Sequence, residues 1–283
     1  MTEHTLPADI AEVVALALAE DLGTGDVTAS LIEATRHATA QVLVRAATVL
    51  CGTAWFDEVF RQVDPSIEVR WRHTDGAVLE PGTIVCELTG PASAMLSGER
   101  TALNFLQTLS GTATAAHRFA TAVRGTRARI LDTRKTLPGL RSAQKYAVRC
   151  GGAHNHRQGL FDAILVKENH IAALGSVGEA VRRARAQAPS LLVEIEVETL
   201  EQLREALDTQ ADRLLLDNFT LDELRQAVAM RDARGGERKE LEASGGIDIN
   251  GVRAVADTGV DWISIGGITK HVRAADYSMR FVP

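Results

Sequence analysis

The sequence has few of the features that mark secreted, membrane-spanning or metal-rich proteins. Its three cysteines, Cys51, Cys86 and Cys150, are widely spaced and show no metal-ligand spacing. We therefore expect reduced thiols in a cytoplasmic protein. No apolar run approaches the roughly 18 residues that a membrane-spanning helix needs, which predicts no membrane partner. The polar start, residues 1–5, lacks the apolar segment of a signal peptide.

Positive charge is also in deficit. The 31 basic residues are outnumbered by 37 acidic ones, which gives a formal net charge of −6. The chain therefore lacks an overall basic field that would attract nucleic acid. Lysine is the scarcer cation, because only five positions carry it. A position that keeps lysine thus indicates a need for a compact, titratable ammonium group, although any single lysine is also compatible with an ordinary surface role.

The apolar content is high enough for one large domain or two moderate ones, since 45 % of the 283 residues are hydrophobic. An amphipathic helix is predicted over residues 7–20. Strand-like alternation follows at Ala38–Ala46, Ile67–Arg72 and Thr83–Leu88, with a helical segment at Thr53–Val63. This mixture predicts a small α+β domain at the N-terminus.

The sequence changes character after a long helical stretch. Residues 92–123 keep helical spacing and predict one long helix or two abutting ones, so we place a domain boundary at residues 112/113. Over 113–272, short apolar runs alternate with helical segments, which predicts a parallel sheet in a closed or nearly closed α/β barrel. The remaining residues, 273–283, are predicted to form a short helix and tail. The apolar runs are Ala128–Leu131, Ala163–Val166, Leu191–Ile195, Arg213–Leu216, Glu240–Glu242 and Trp262–Ile265.

In an α/β barrel the chemistry lies at the carboxyl ends of the strands. All six predicted strands are followed by polar, charged or glycine-rich residues. One such strand end is compatible with a solvated loop, but six together favour a functional site. The residues concerned are Asp132, Thr133, Arg134 and Lys135; Lys167, Glu168, Asn169 and His170; Glu196; Asp217 and Asn218; Ser244, Gly245 and Gly246; and Gly266 and Gly267.

These strand ends sort into anion-binding and acidic groups. The glycine turns at Ser244–Gly246 and Gly266–Gly267 each precede a helical segment and are typical of phosphate sites, although plain tight turns fit them too. Glu196 and Asp217 suit ribose hydroxyls or a magnesium ion, but solvated acids are an equal alternative.

Cationic side chains complete the pattern. Arg134, Lys135 and Lys167 supply positive charge for a polyanionic substrate. His154 and His156 suggest a metal site, yet no third soft ligand recurs near them. The residues thus predict a sugar phosphate at the glycine turns, a hydroxyl or metal zone at the acids, and carboxylates or a diphosphate at the cations.

The motifs at these strand ends closely resemble those of quinolinate phosphoribosyltransferase, a family also called nicotinate-nucleotide pyrophosphorylase (carboxylating). The resemblance covers nearly the whole chain in order. The matching motifs are residues 20–28, 98–104, 132–139, 151–157, 165–170, 216–219 and 242–247.

The resemblance implies a small N-terminal α+β sandwich domain, an irregular, incomplete α/β barrel, and a homodimer with shared active sites. It implies transfer of phosphoribosyl from phosphoribosyl pyrophosphate (PRPP) to quinolinate with decarboxylation. The products would be nicotinate mononucleotide, pyrophosphate and CO2, a step of NAD synthesis that uses Mg²⁺.

The resemblance also implies roles for individual residues. Arg134, Arg157, Lys167 and His156 would surround the two carboxylates of quinolinate, with Thr133 beside them. Further substrate contacts would come from Arg100 of the partner chain, Lys135, Glu196, Asp217, Ser244, Gly245, Gly246, Gly266, Gly267 and Lys270. Lys135, Lys167, Glu196 and Asp217 would be catalytic, and Glu196 and Asp217 would meet the metal directly or through the substrate.

One motif departs from the family pattern. Many members have Gly-Ala-Leu-Thr-His near the end, whereas this chain has Gly266-Gly267-Ile268-Thr269-Lys270-His271, so either Lys270 or His271 is expected in the histidine's role. A nicotinate phosphoribosyltransferase or the related protein associated with molybdate uptake is the nearest alternative. The cations Arg100, Arg134, Arg157 and Lys167 favour a dicarboxylate instead. A non-catalytic phosphate sensor is a further alternative, but it has no need for the paired acids.

Overall fold

The computed structural model describes residues 5–33, 35–235 and 238–282. The first four residues, part of the polar start discussed above, lie outside the described range. Two compact units divide the chain. Unit 1 comprises Met1–His117, Thr136–Gly152 and Ile268–Pro283, and unit 2 comprises Arg118–Lys135 and Ala153–Gly267.

The elements follow one another in a mixed α/β order. From Ile10 to Cys150 they are α1 (Ile10–Leu22), a 3-10 turn (Ala29–Leu31), β1 (His37–Val44), β2 (Thr48–Val49), α2 (Thr53–Val63), β3 (Glu68–Trp71), β4 (Val78–Leu79), β5 (Ile84–Pro91), α3 (Ala92–Ala122), β6 (Arg129–Leu131) and α4 (Arg141–Cys150). From Ala163 to Val282 they are β7 (Ala163–Val166), α5 (Glu168–Leu174), α6 (Val177–Gln187), β8 (Leu192–Val197), α7 (Leu200–Leu207), β9 (Arg213–Asp217), α8 (Leu221–Asp232), β10 (Glu240–Ser244), α9 (Val252–Ala256), β11 (Trp262–Ser264), α10 (Gly267–Lys270) and β12 (Tyr277–Val282).

Unit 1 is built on an antiparallel sheet in the order β12-β1-β5-β3. Helix α2 packs its apolar face into the core, because Trp55, Phe56 and Phe60 recur at helical spacing and are fully buried. The start of α2 is capped from a distance: both carboxylate oxygens of Asp75 accept backbone N–H groups, from Gly52 at 3.2 Å and Thr53 at 3.3 Å. The smaller α+β domain predicted from sequence is thus confirmed.

The C-terminal stretch differs from its sequence prediction. A short helix was expected over 273–283, but Tyr277–Val282 forms strand β12, paired antiparallel with β1 from Val44↔Tyr277 to Thr39↔Val282. The prediction of a helix was wrong because the stretch is held by long-range pairing. The side chain of Tyr277 is buried in the unit 1 core, where its hydroxyl lies 3.0 Å from Ser110 Oγ.

The compact units are also discontinuous in sequence, unlike the contiguous domains 1–112 and 113–272 predicted above. Helix α4 belongs to unit 1 because its buried residues Ala143, Tyr146 and Ala147 join the unit 1 apolar cluster. The last residues belong to unit 1 through the pairing of β12 with β1. Residues 92–122 form one helix, the first of the two possibilities considered for this stretch.

Unit 2 contains a parallel six-stranded sheet in the order β6-β11-β10-β9-β8-β7. Strands β6, β7, β9 and β11 carry mainly apolar side chains, as expected when helices cover a parallel sheet, whereas β8 and β10 also carry buried glutamates. Strands β6 and β7 are the two edges of this order, so the barrel is irregular and incomplete, as predicted. A single parallel bridge between Leu131 and His154 extends the β6 edge.

Hydroxyl side chains begin three of the unit 2 helices. Ser176, Thr199 and Thr220 accept hydrogen bonds from the backbone N–H three residues further on, which fixes where α6, α7 and α8 start. Among the described residues, none of the helices has both the length and the apolarity needed to cross a bilayer.

Candidate active site

The end of β6 is fixed by a buried carboxylate. Asp132 is 0 % exposed, and its Oδ1 accepts the backbone N–H of His156 at 2.8 Å while its Oδ2 accepts Asn155 Nδ2 at 2.6 Å. The backbone N–H of Asp132 in turn donates to His154 O at 3.0 Å. These bonds hold residues 154–156 beside the β6 end. Arg134 and Arg157, each one or two residues further along, are therefore presented from adjoining segments.

Arg134 and Arg157 form a pair of partly buried cations. Burial lowers the pKa of the Arg157 guanidinium, and the nearby positive charge of Arg134 lowers it further. Arg157 Nη1 also donates weakly to Ala163 O at 3.4 Å, which holds the side chain near β7. Two fixed guanidinium groups that repel each other are suited to a ligand with two negative charges.

The acidic side of the site lies on β8 and β9, which are neighbours in the sheet as predicted. Glu196 is nearly buried and its Oε2 accepts Lys167 Nζ at 3.0 Å. Burial raises the pKa of the Glu196 carboxyl, the Lys167 ammonium lowers it, and the negative charge of Asp217 raises it. The backbone of Lys167 is itself fixed, since its N–H donates to His170 Nδ1 at 3.0 Å. The predicted residues Lys167, Glu196 and Asp217 are thus brought together.

The glycine turns allow close backbone approach at two strand ends. Gly245 has φ +107, and a Cβ there would lie only 2.9 Å from the Cα of Asn218. Asn218 has φ 57 and donates its backbone N–H to Ser244 O at 2.9 Å. This arrangement joins the ends of β9 and β10 around exposed backbone, which suits an anion such as phosphate.

The second glycine turn brings β11 beside β6. A Cβ at Gly266 would lie 3.1 Å from Lys135 Cδ and 3.4 Å from Thr133 Oγ1. Thr133 Oγ1 also accepts the backbone N–H of Lys135 at 3.1 Å. Thr133, Lys135 and Gly266 are therefore one cluster, as predicted, and Gly267 follows at the start of α10.

The imidazole of His156 contacts two glutamates, Glu194 and Glu242, that were not among the predicted site residues. Its Nδ1 accepts the backbone N–H of Arg157 at 2.7 Å, and its Nε2 lies 2.8 Å from Glu194 Oε2 and 3.7 Å from Glu242 Oε1. Glu194 and Glu242 are 1 % and 0 % exposed. The alternation of Glu194 with Glu196 along β8 was a usable signal, but it favours only the acid at the strand end. The predicted role of His156 as a quinolinate ligand stays a prediction.

Two predicted residues lie in unit 1. Arg100 is exposed on α3, and Lys270 is exposed at the end of α10, next to the equally exposed His271. The roles of Arg100, Lys270 and His271 stay predictions.

Comparison with known proteins places these features in a family. Residues 26–110 match the model for the quinolinate phosphoribosyl transferase N-terminal domain, and residues 112–280 match the model for its C-terminal domain. A nicotinate-nucleotide pyrophosphorylase [carboxylating] of Mycobacterium leprae (strain TN) is 43% identical over 274 residues, which is 95% of each protein.

Two further relatives, one of them a solved structure, support the same family. A probable nicotinate-nucleotide pyrophosphorylase [carboxylating] of Bacillus subtilis (strain 168) is 42% identical over 261 residues, or 92% of this chain and 89% of the relative. The solved structure of the nicotinate-nucleotide pyrophosphorylase from Francisella tularensis superposes with a TM-score of 0.95 at 43% identity, covering 99% of this chain and 98% of the other. The chain therefore belongs to the quinolinate phosphoribosyl transferase family.

Proposed function

We propose that the cationic side of the unit 2 site holds quinolinate and that its acidic and glycine-rich sides hold PRPP. The reaction is that of the family: the enzyme, a pentosyltransferase, transfers phosphoribosyl from PRPP to quinolinate with decarboxylation. It gives nicotinate mononucleotide, pyrophosphate and CO2 in de novo NAD synthesis.

The Arg134–Arg157 pair is the observation that carries the quinolinate assignment. Quinolinate has two neighbouring carboxylates, and two guanidinium groups close enough to lower the pKa of Arg157 match that dianion. Thr133 adds a hydroxyl at the same strand end, and Lys167 adds a further cation. Holding both ring carboxylates aims the pyridine nitrogen at the ribose C1 and so lowers the entropic part of the barrier.

PRPP is assigned to the opposite side of the site. The turns at Ser244–Gly246 and Gly266–Gly267 offer backbone N–H groups to its 5-phosphate, and Glu196 and Asp217 face the ribose hydroxyls. Lys135 touches the Gly266 turn and lies next to Arg134, so it neighbours both substrates. A pure anion sensor gains nothing from the paired acids, which argues against a non-catalytic role.

Glu196 and Asp217 would hold Mg²⁺, directly or through PRPP. The donor set fits, because both offer carboxylate oxygen, the ligand that magnesium prefers, from neighbouring strands. When bound, magnesium supplies positive charge to the diphosphate group. The contact between Glu196 and Lys167 leaves Asp217 the better placed of the two acids for direct coordination.

Positioning and electrostatics account for the chemistry. The pyridine nitrogen forms a bond to C1 as the C1–O bond to diphosphate breaks, and positive charge develops on the ribose near Glu196 and Asp217. The quaternary nitrogen then accepts the electron pair left when the adjacent C–CO2 bond breaks, and a proton from solvent replaces CO2. No covalent enzyme nucleophile is required.

The working assembly is a homodimer in the cytoplasm, in which Arg100 of the partner subunit completes the quinolinate site. A turnover assay that compares quinolinate with nicotinate, each with and without magnesium, tests the function. We expect pyrophosphate and CO2 only with quinolinate and magnesium together. Equal turnover of nicotinate would support the alternative phosphoribosyltransferase instead.

A further inference from the structure

A network of buried polar side chains connects the backbone of Arg157 to the sheet of unit 2. It passes from the Arg157 backbone through His156 to Glu194, Glu242 and Arg213. We propose that Glu194 and Glu242 are positioning residues for quinolinate binding, because they hold the imidazole of His156 and thereby the backbone that aims the Arg157 guanidinium. The proposal rests on the assignment of Arg157 to quinolinate.

The contacts of the two ring nitrogens define the role of His156 in this network. Its Nδ1 accepts the Arg157 N–H at 2.7 Å and so carries no proton, which leaves the proton of the neutral ring on Nε2. Nε2 lies 2.8 Å from Glu194 Oε2, a close polar contact whose alignment is not that of a hydrogen bond. The two ring nitrogens thus connect the backbone of Arg157 to the buried carboxylate.

Arg213 anchors the other end of this side-chain network in the sheet. Arg213 places Nη1 3.3 Å from Glu242 Oε2, donates twice to Glu240 Oε2 at 2.8 and 3.1 Å, and stacks its guanidinium 4.7 Å from the centre of the Trp262 ring. Glu242 is thereby held from the side opposite His156. Burial and the charge of Glu194 raise the pKa of the Glu242 carboxyl to about 8, so it holds a proton near neutral pH.

The burial of these acids argues for positioning rather than for general core stability. Two carboxyl groups inside a sheet are costly, and apolar side chains of similar size would usually serve stability as well or better. Here the acids lie beneath the one segment, residues 155–157, that Asp132 also holds through its backbone. The same segment is thus fixed by two independent sets of buried contacts.

The test separates quinolinate binding from PRPP binding. Glu194→Leu keeps a similar volume but removes the carboxylate that contacts His156 Nε2, so we expect KM for quinolinate to rise about tenfold while KM for PRPP stays within about twofold. Glu194→Gln keeps an oxygen for His156 Nε2 and should therefore have the wild-type KM for quinolinate. Glu205→Gln, the same change at a carboxylate on α7 that accepts the backbone N–H of Gly178 at 3.0 Å, is the control and should leave both KM values unchanged.

A second variant covers a failure of Glu194→Leu to fold. Glu194→Asp keeps the charge but withdraws the carboxylate by about one methylene, and a severalfold rise in KM for quinolinate is expected. Equal rises in both KM values, or no rise in either Glu194→Leu or Glu194→Asp, would overturn the proposal.

Arg157→Ala tests the binding of quinolinate by Arg157 separately from the positioning role of Glu194. If it leaves KM for quinolinate unchanged, the assignment of Arg157 to quinolinate is itself wrong. If Arg157→Ala raises that KM and the Glu194 variants do not, only the positioning role fails. In a double variant with Glu194→Leu, the two effects should be less than additive, because both act through the same guanidinium.

Discussion

At the scale of single residues, a substitution of Arg134 distinguishes quinolinate binding from PRPP binding most directly. Its positive charge lies close enough to Arg157 to lower the pKa of that guanidinium, and both arginines are assigned to quinolinate. We expect Arg134→Ala to lower kcat/KM for quinolinate by about 100-fold, because a charge-assisted bond to a carboxylate is lost. PRPP binding, measured by calorimetry with magnesium present, should largely survive. Unchanged turnover in this variant would contradict the assignment of Arg134 to quinolinate.

Glu242 gives a pH dependence whose sign follows from its burial. Its folded-state pKa of about 8 lies above the ordinary value of 4.5, so the folded protein keeps a proton that the unfolded chain releases. The stability that this group contributes is fully present below about pH 4.5 and is lost as the pH rises through about 8. Glu242→Gln cannot ionise and should not show this loss.

Urea unfolding measures the difference. Between about pH 6 and pH 8 we expect the free energy of unfolding to fall by about 2 kcal/mol more in the wild type than in Glu242→Gln. Glu240→Gln serves as the control for stability, since Glu240 is partly exposed. The same pH slope in all three proteins would mean that Glu242 is ionised in the folded protein across this range.

Sequence patterns predicted the acids at the strand ends of the site but missed the buried acids that contact His156. Glu196 and Asp217 follow apolar runs, so their positions at the strand ends could be predicted from alternation and barrel geometry alone. Glu194 and Glu242 occupy strand positions whose side chains point into the unit 2 interior. A carboxylate inside a strand resembles a solvent-facing residue in sequence, because its partners, His156 and Arg213, come from elements distant in the chain.

At the scale of elements, the six strands of unit 2 could be predicted because each is a short apolar run followed by polar residues. Strand β12 could not, since Tyr277–Val282 becomes a strand only by pairing with β1, more than 230 residues earlier. The same limit applies to α4: its helical pattern is local, but its membership of unit 1 depends on contacts with a distant apolar cluster.

The turn between β10 and α9 tests how element ends form the phosphate site. Gly245 has φ +107 and no room for a Cβ against Asn218, whereas Gly246 has φ +48 and no atom within 4 Å of its would-be Cβ. We expect Gly245→Ala to raise KM for PRPP at least tenfold, and Gly246→Ala to raise it much less. Initial-rate kinetics with quinolinate held at saturation measure both. Equal effects in the two variants would argue against the close contact with Asn218.

At the scale of the whole molecule, the proposed shared site predicts complementation between chains. Arg100→Ala and Lys167→Ala should each be nearly inactive as a homodimer. In a mixed dimer, one site combines the partner's Arg100 with an intact Lys167, while the other site lacks both. Random re-association makes half of the dimers mixed, so activity should recover to about one quarter of the wild-type level.

The control for this experiment uses two changes within unit 2. Arg134 and Lys167 belong to the same unit of the same chain. In a mixed dimer of Arg134→Ala and Lys167→Ala chains, each site therefore still lacks one of the two residues, and no recovery is expected. Recovery in the Arg100 mixture alone, with mixed dimers verified by mass spectrometry, would place Arg100 in the site of the partner subunit. Failure of verified mixed dimers to recover would mean that Arg100 acts within its own chain or has no part in the reaction.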